Sequence, residues 1–231
     1  MKPRHPKLPV PDREKRVKLD VAVAMISQSE WGTKEGATVR SYFDVDKLFT
    51  ADFRFQESDS VVGSSRRQFV REVITDLDAI LAERAISRIA FVDEHEIGPV
   101  GGLWLAMTVA LELNMDLLLL RPWKELEPSR IKGKTPEAGE RFLIFTDVVS
   151  TGRTILDALQ VLEHYAASCD VAYTLVERDD DAGLIKARQE LLGDRVEILC
   201  WVKSSTLLDL EPIKRMLNAV AQRDLPMELG L

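Results

Sequence analysis

The change of period between residues 141 and 165 constrains the fold more than any other stretch of this chain. Residues 141–154 read RFLIFTDVVSTGRT and lead into ILDALQVLEHY. Phe142, Leu143, Ile144 and Phe145 form the continuous apolar run of a strand buried on both faces, and the apolar spacing that follows is helical. Strand, hydroxyl-and-glycine turn and helix N-terminus together make an anion cradle, because backbone N–H groups and the positive end of the helix dipole both favour negative charge there. Asp147, at the expected strand end, is placed to accept hydrogen bonds from sugar hydroxyls or to face a metal-bound phosphate. The turn holds neither G-x-x-x-x-G-K-[ST] nor G-x-G-x-x-G, which excludes a P-loop and a dinucleotide fingerprint. A plain capped strand-to-helix turn is the alternative reading of the same residues.

The alternation repeats along the chain as IAFVD, GGLWLAMTVALEL, DLLLLR, RFLIFTD, TILDALQVLEHY, DVAYTLVE, AGLIKARQELL and VEILCWV. Apolar strands separated by amphipathic helices predict an α/β fold, doubly wound, with a mainly parallel sheet covered on both faces. In such a sheet the ligand lies beyond the strand C-termini, where Asp93, Arg121, Asp147 and Arg178 fall. Upstream, residues 14–28 predict a short helix, ATVRSYFDVDKLF a strand or extended hood, and ESDSVVGSS a turn-rich break. From Arg66 onward, Phe69, Val70, Val73, Ile74, Leu77, Ile80 and Leu81 mark one face of a helix of about five turns. Residues 121–134 are polar and lack helical periodicity, as a functional lid or a connector would. After Ser204 a final helix is expected to pack Leu207, Leu208, Ile213, Met216, Leu217 and Val220 inward. The expected organisation is a basic, proline-rich extension (1–16), an N-terminal helix and hood segment (17–60), and an α/β core with a C-terminal helix (61–231).

A net charge of −7 argues against general attachment to nucleic acid or anionic membrane. A phosphate-rich substrate has to be drawn by local cations such as Lys34, Arg121, Lys124, Arg130, Lys132 and Lys134. Cys169 and Cys200 read as small core hydrophobes in a reducing compartment, and the cytoplasm is the expected location. Apolar runs such as LLLL at 117–120 fall far short of the ~20 residues of a membrane span. His95, in DEHEIGP, reads as a loop histidine, and its acidic neighbours match no metal-ligand spacing.

RFLIFTDVVSTGRT closely resembles the phosphoribosyl-diphosphate (PRPP) motif of type I phosphoribosyltransferases. In that family two acidic residues end the strand. Here Thr146 stands at the first of these positions and Asp147 at the second, so the acidic pair is half present, while Ser150, Thr151, Gly152, Arg153 and Thr154 match the 5′-phosphate loop. Other segments point to the orotate branch. TKEGATVRSYFDVDKLF resembles its lysine segment and the aromatics that follow, with Lys34 and Phe43 nine residues apart. GPVGGLWLAMTVALELNMDLLLLR resembles the pyrophosphate loop, its helix and the next strand, and DVAYTLVERDDDAGLIKARQELL the strand ending in a base-binding arginine, here Arg178.

The resemblance implies a Mg²⁺-dependent transfer of 5-phosphoribosyl from PRPP to a nucleobase, orotate favoured, with the metal carried by the substrate and no metal site of the protein's own. It implies catalytic roles for Arg121, Lys124 and Asp147. PRPP binding would fall to Lys34, Gly98, Gly101, Gly102 and the run Thr146, Asp147, Val148, Val149, Ser150, Thr151, Gly152, Arg153 and Thr154. Base contacts would come from Tyr42, Phe43, Ser150 and Arg178. A homodimer is implied too. The chain departs from the family's lid pattern, R-K-E-x-K-x-H-G: RPWKELEPSRIKGK retains Arg121, places Pro122 where a lysine is expected, offers Lys124 as the second lysine, and lacks the histidine. Transfer to another base, or a non-catalytic PRPP- or nucleotide-binding regulator, are the alternatives this departure leaves open.

Overall fold

Apolar strands alternating with amphipathic helices have to bury both faces of the sheet they form. The computed structural model describes residues 61–92, 101–122, 130–210 and 214–215. In chain order these form α1 (Val61–Arg84), β1 (Arg88–Val92), α2 (Gly101–Glu112), β2 (Asp116–Leu120), β3 (Ile131–Lys132), β4 (Arg141–Val149), α3 (Arg153–His164), β5 (Ser168–Glu177), α4 (Ala182–Leu192), β6 (Glu197–Lys203) and α5 (Ser204–Leu208). The spatial order is β3-β2-β1-β4-β5-β6. Every neighbouring pair is parallel except β2 and β3. The chain runs outward from β1 to β3, returns to β4 beside β1, and then runs outward the other way. The crevice of a doubly wound sheet therefore opens between the C-terminal ends of β1 and β4.

On one face Phe69, Leu77, Leu105 and Val109, from α1 and α2, pack on Phe91, Leu143, Phe145 and Tyr173. On the other face Ile155, Leu159 and Leu162 of α3 pack on Ala90, Leu118, Phe142 and Ile144. Burying each such side chain contributes roughly 1.5–3 kcal/mol. Two polar pairs fix α1 on the sheet: the Tyr173 hydroxyl donates to Asp76 Oδ2 at 2.9 Å, and Trp201 Nε1 to Glu72 Oε2 at 3.3 Å. Burial, with Asp76 beside it, pushes the Tyr173 hydroxyl well above its ordinary value, so it stays a donor.

The structure corrects the sequence reading in four places. Helix α1 starts at Val61, so VVGSS belongs to the helix and not to a break. The packing of Phe69, Val73 and Leu77 outweighs a glycine penalty of about 1 kcal/mol. Strand β4 runs two residues past Asp147, because Val148 and Val149 pair with Val176 and Glu177 of β5. The expected loop 121–134 contains β3, where Leu120 pairs with Ile131 and the Arg121 N–H donates to the Arg130 carbonyl at 2.6 Å. Helix α5 stops at Leu208, and a turn at Asp209 and Leu210 follows in place of a continuous helix.

The extension, the first helix and hood, Asp93, His95, Ile213, Met216, Leu217 and Val220 lie outside the described residues. Both cysteines are free, and burial pushes the Cys169 thiol up to about 11. Among the described residues no helix is long and apolar enough to cross a membrane.

Candidate functional site

After β4, Ser150 and Thr151 turn the chain and Gly152 opens α3 with φ 79°. Two facts make this position a glycine. Its φ lies in the left-handed region, and a Cβ there would stand 2.6 Å from Leu192 Cδ1. Gly152 brings no side chain to cap α3, and the first turn of α3 holds no acidic residue, so its N–H groups and dipole end face the turn. The contrast with α4 is direct: there Asp181 caps the helix, accepting from Gly183 N at 2.7 Å. Arg153, at the first helical position of α3, is exposed and pairs with Asp157 at 2.9 Å. Thr154 follows it on the same helix.

Asp147 sits half-buried beside the switch point. Its Oδ1 accepts from Val148 N at 2.7 Å, and the Thr146 hydroxyl approaches the same oxygen at 3.5 Å. The first turn of α2 comes up against it: a Cβ on Gly102 would lie 3.4 Å from Asp147 Cβ and 3.1 Å from Phe91 Cζ. Gly102 thus places the N-terminus of α2 beside this carboxylate. Thr146 is only 5% exposed and turns toward Asp147, and the Val149 side chain is buried in the core under α3, because β4 continues through both positions.

The end of β5 lies against this turn. Arg178 N donates to the Val149 carbonyl at 2.8 Å. The Arg178 side chain is mostly buried and makes a two-pronged pair with Asp180, Nε to Oδ1 at 2.7 Å and Nη2 to Oδ2 at 2.8 Å. The hydrogen bond from Arg178 holds the Asp180 carboxyl down at about 2, with a further bond from the Ser204 hydroxyl at 2.6 Å. Asp179 accepts from the Ser205 N–H and hydroxyl at the start of α5. The acidic run after Arg178 is therefore a set of separate jobs (a helix cap, a guanidinium partner and a second cap) and not a solvated charge cluster.

Sequence reasoning missed Arg188. It is 8% exposed on α4, and its Nη1 donates to the carbonyls of Ser150 (3.1 Å) and Arg178 (3.0 Å) while Nη2 donates to Glu177 Oε1 at 2.5 Å. Its signal was its phase, since Leu184, Arg188 and Leu192 share a helical face.

Arg121 follows β2 and bonds to Arg130 ahead of β3, and residues 123–129 lie outside the described residues. A cleft of about 500 Å³ separates the ends of β1 and β2 from α3. Val92, Pro122 and Arg130 line one side, and Arg153, Thr154 and Asp157 the other. The fold thus gathers Arg121, Gly101, Gly102, Thr146, Asp147, Val148, Val149, Ser150, Thr151, Gly152, Arg153, Thr154 and Arg178 along one edge of the sheet. Lys34, Tyr42, Phe43, Gly98 and Lys124 lie outside the described residues.

No model of a known family matches the chain. Individual proteins do. The chain is 31% identical over 136 residues to the orotate phosphoribosyltransferase of Methanosarcina mazei, covering 56% of this chain and 68% of the relative. It is 24% identical over 174 residues to that of Thermococcus kodakarensis, covering 73% and 90%. Among solved structures it is similar to Leishmania donovani UMP synthase, with a TM-score of 0.58, 25% identity, and 87% of this chain matched to 39% of that one. Aeropyrum pernix orotate phosphoribosyltransferase shares the fold with a TM-score of 0.55 at 22% identity, covering 84% of this chain and 96% of that one.

Proposed function

This chain belongs to the orotate phosphoribosyltransferase family, and from that premise we propose that it transfers 5-phosphoribosyl from PRPP to a nucleobase, orotate first, releasing pyrophosphate. The observation that carries the reading is a carboxylate on β4 with the first turn of α2 packed against it at Gly102 and the uncapped first turn of α3 following five residues later in the chain at Gly152. A molecule with a phosphate at one end, a diphosphate at the other and a diol between them suits that arrangement.

In this reading Ser150, Thr151, Gly152, Arg153 and Thr154 hold the 5′-phosphate, and Asp147 accepts hydrogen bonds from the ribose hydroxyls. Gly98, Gly101 and Gly102 let the diphosphate approach the backbone, with Lys34, Arg121 and Lys124 neutralising it. Tyr42, Phe43, Ser150 and Arg178 receive the base. A base nitrogen attacks C1, and the bond from C1 to the diphosphate oxygen breaks. Positive charge gathers on the ribosyl ring and negative charge on the departing diphosphate, so the residues have to position and stabilise, and no covalent nucleophile is needed. The donors present fit a cation carried in by its substrate. Asp147 is a single partly exposed carboxylate, and among the described residues no group of three ligating side chains exists. Mg²⁺ bound to diphosphate oxygens and water would neutralise leaving-group charge. A homodimer and a cytoplasmic setting complete the proposal, and light scattering of the purified chain checks the former.

The test is steady-state pyrophosphate release with PRPP, Mg²⁺ and a panel of pyrimidine and purine bases. The proposal expects turnover with orotate. Turnover only with another base would reassign the acceptor. PRPP binding without turnover on any base would make the chain a sensor, the outcome that Pro122 and Thr146 favour.

A further inference from the structure

We infer that Arg188 is a positioning residue that locks the phosphate turn and the base-side turn into one unit. The inference rests on the reading above, in which those turns hold the two ends of the substrate. One nitrogen of its guanidinium bridges two carbonyls from different segments, Ser150 at 3.1 Å and Arg178 at 3.0 Å, and the other is anchored on Glu177 at 2.5 Å.

A trans peptide points its N–H opposite its C=O. Fixing the Ser150 carbonyl against Arg188 therefore aims the Thr151 N–H away from α4, on the side where an anion would sit. The same logic holds at the other end. With the Arg178 carbonyl fixed, the Asp179 N–H is free to donate to Ser204 Oγ, and it does so at 3.0 Å. The Arg188 stem also lies behind the turn, where Cγ would be 3.4 Å from a Cβ on Gly152. A planar fork on a buried stem can serve two carbonyls and a carboxylate at once, and a lysine ammonium cannot match that geometry.

The experiment compares Arg188→Met and Arg188→Lys with the unaltered full chain, measuring KM for PRPP, KM for the base, kcat and the thermal midpoint. Calorimetry with PRPP serves as the readout if turnover is absent. In Arg188→Met both KM values rise together, each by roughly tenfold, while kcat stays within about twofold; the size follows from losing charge-assisted bonds to the carbonyls. Arg188→Lys falls between the two. If Arg188→Met is poorly folded because Glu177 loses its guanidinium partner, Arg188→Met with Glu177→Gln removes that charge and should show the same paired rise. Unchanged KM values in a folded Arg188→Met protein overturn the inference, as does a fall in kcat alone or full recovery by lysine. Gly152→Ala serves as the control for the underlying reading. If it weakens PRPP while Arg188→Met does not, only the clamp is wrong; if neither does, the phosphate turn itself is misassigned.

Discussion

The turn at 150–152 and the Arg121 side, which the proposal assigns to the 5′-phosphate and the diphosphate, are held in different ways. Behind the turn stands α4, with Leu192 against Gly152 and Arg188 hydrogen-bonded to the Ser150 carbonyl, and β4 delivers the chain to it in register with β5. On the other side Arg121 and Pro122 lead out of β2 toward β3, which pairs with β2 at only two register positions and adds a backbone bond from Arg121 to Arg130. The sequence departs from the family pattern on this second side, at Pro122 and the missing histidine. Anchoring an anion needs fixed N–H groups, which packing supplies. Stabilising a departing diphosphate needs cations brought in by a lid. Binding and rate can therefore separate in this chain: Pro122 and the missing histidine should act mainly on kcat, and Thr146, beside Asp147, on PRPP affinity.

The strongest blow to this contrast is Gly152→Ala. The left-handed φ and the approach to Leu192 have to be relieved together, so PRPP affinity should fall by roughly 30- to 100-fold in titration calorimetry. Near-normal affinity would mean the turn is not held as described. Next comes Pro122→Lys, which restores a cation just after β2. It should raise kcat by roughly tenfold and leave KM for PRPP within about twofold, the pattern of an interaction made mainly in the transition state. A change in KM alone would place the deficit elsewhere.

The smallest effect concerns Asp180, whose folded value near 2 lies below its ordinary 3.8 because Arg178 donates to it. Its ion pair therefore contributes stability above about pH 4, and that contribution is lost as pH falls through about 2. Urea melts of the unaltered chain and Asp180→Asn should differ most near neutral pH and converge only as the pH falls to about 2. A constant difference would mean the pair does not titrate in this way.

Much of the fold around this turn was legible in the sequence, for physical reasons that differ by element. The β4–turn–α3 unit announces itself because a strand buried on both faces favours a run of apolar residues and a left-handed turn position favours glycine. Other features depend on partners remote in sequence. The two-residue strand β3 exists only because β2 lies beside it. The extension of β4 past a polar Thr-Asp pair depends on β5. Arg188 reads as one more surface cation unless its phase with Leu184 and Leu192 is noticed, and the separate partners of Asp179, Asp180 and Asp181 come from elements far apart in the chain.

Calorimetry of PRPP binding to Asp147→Asn tests the central claim most directly. Asparagine keeps the shape and can still accept from Val148 N, but it removes the charge that receives the ribose hydroxyls. The account predicts affinity weaker by roughly 10- to 100-fold with an unchanged thermal midpoint. Equal affinity in the two proteins would contradict it.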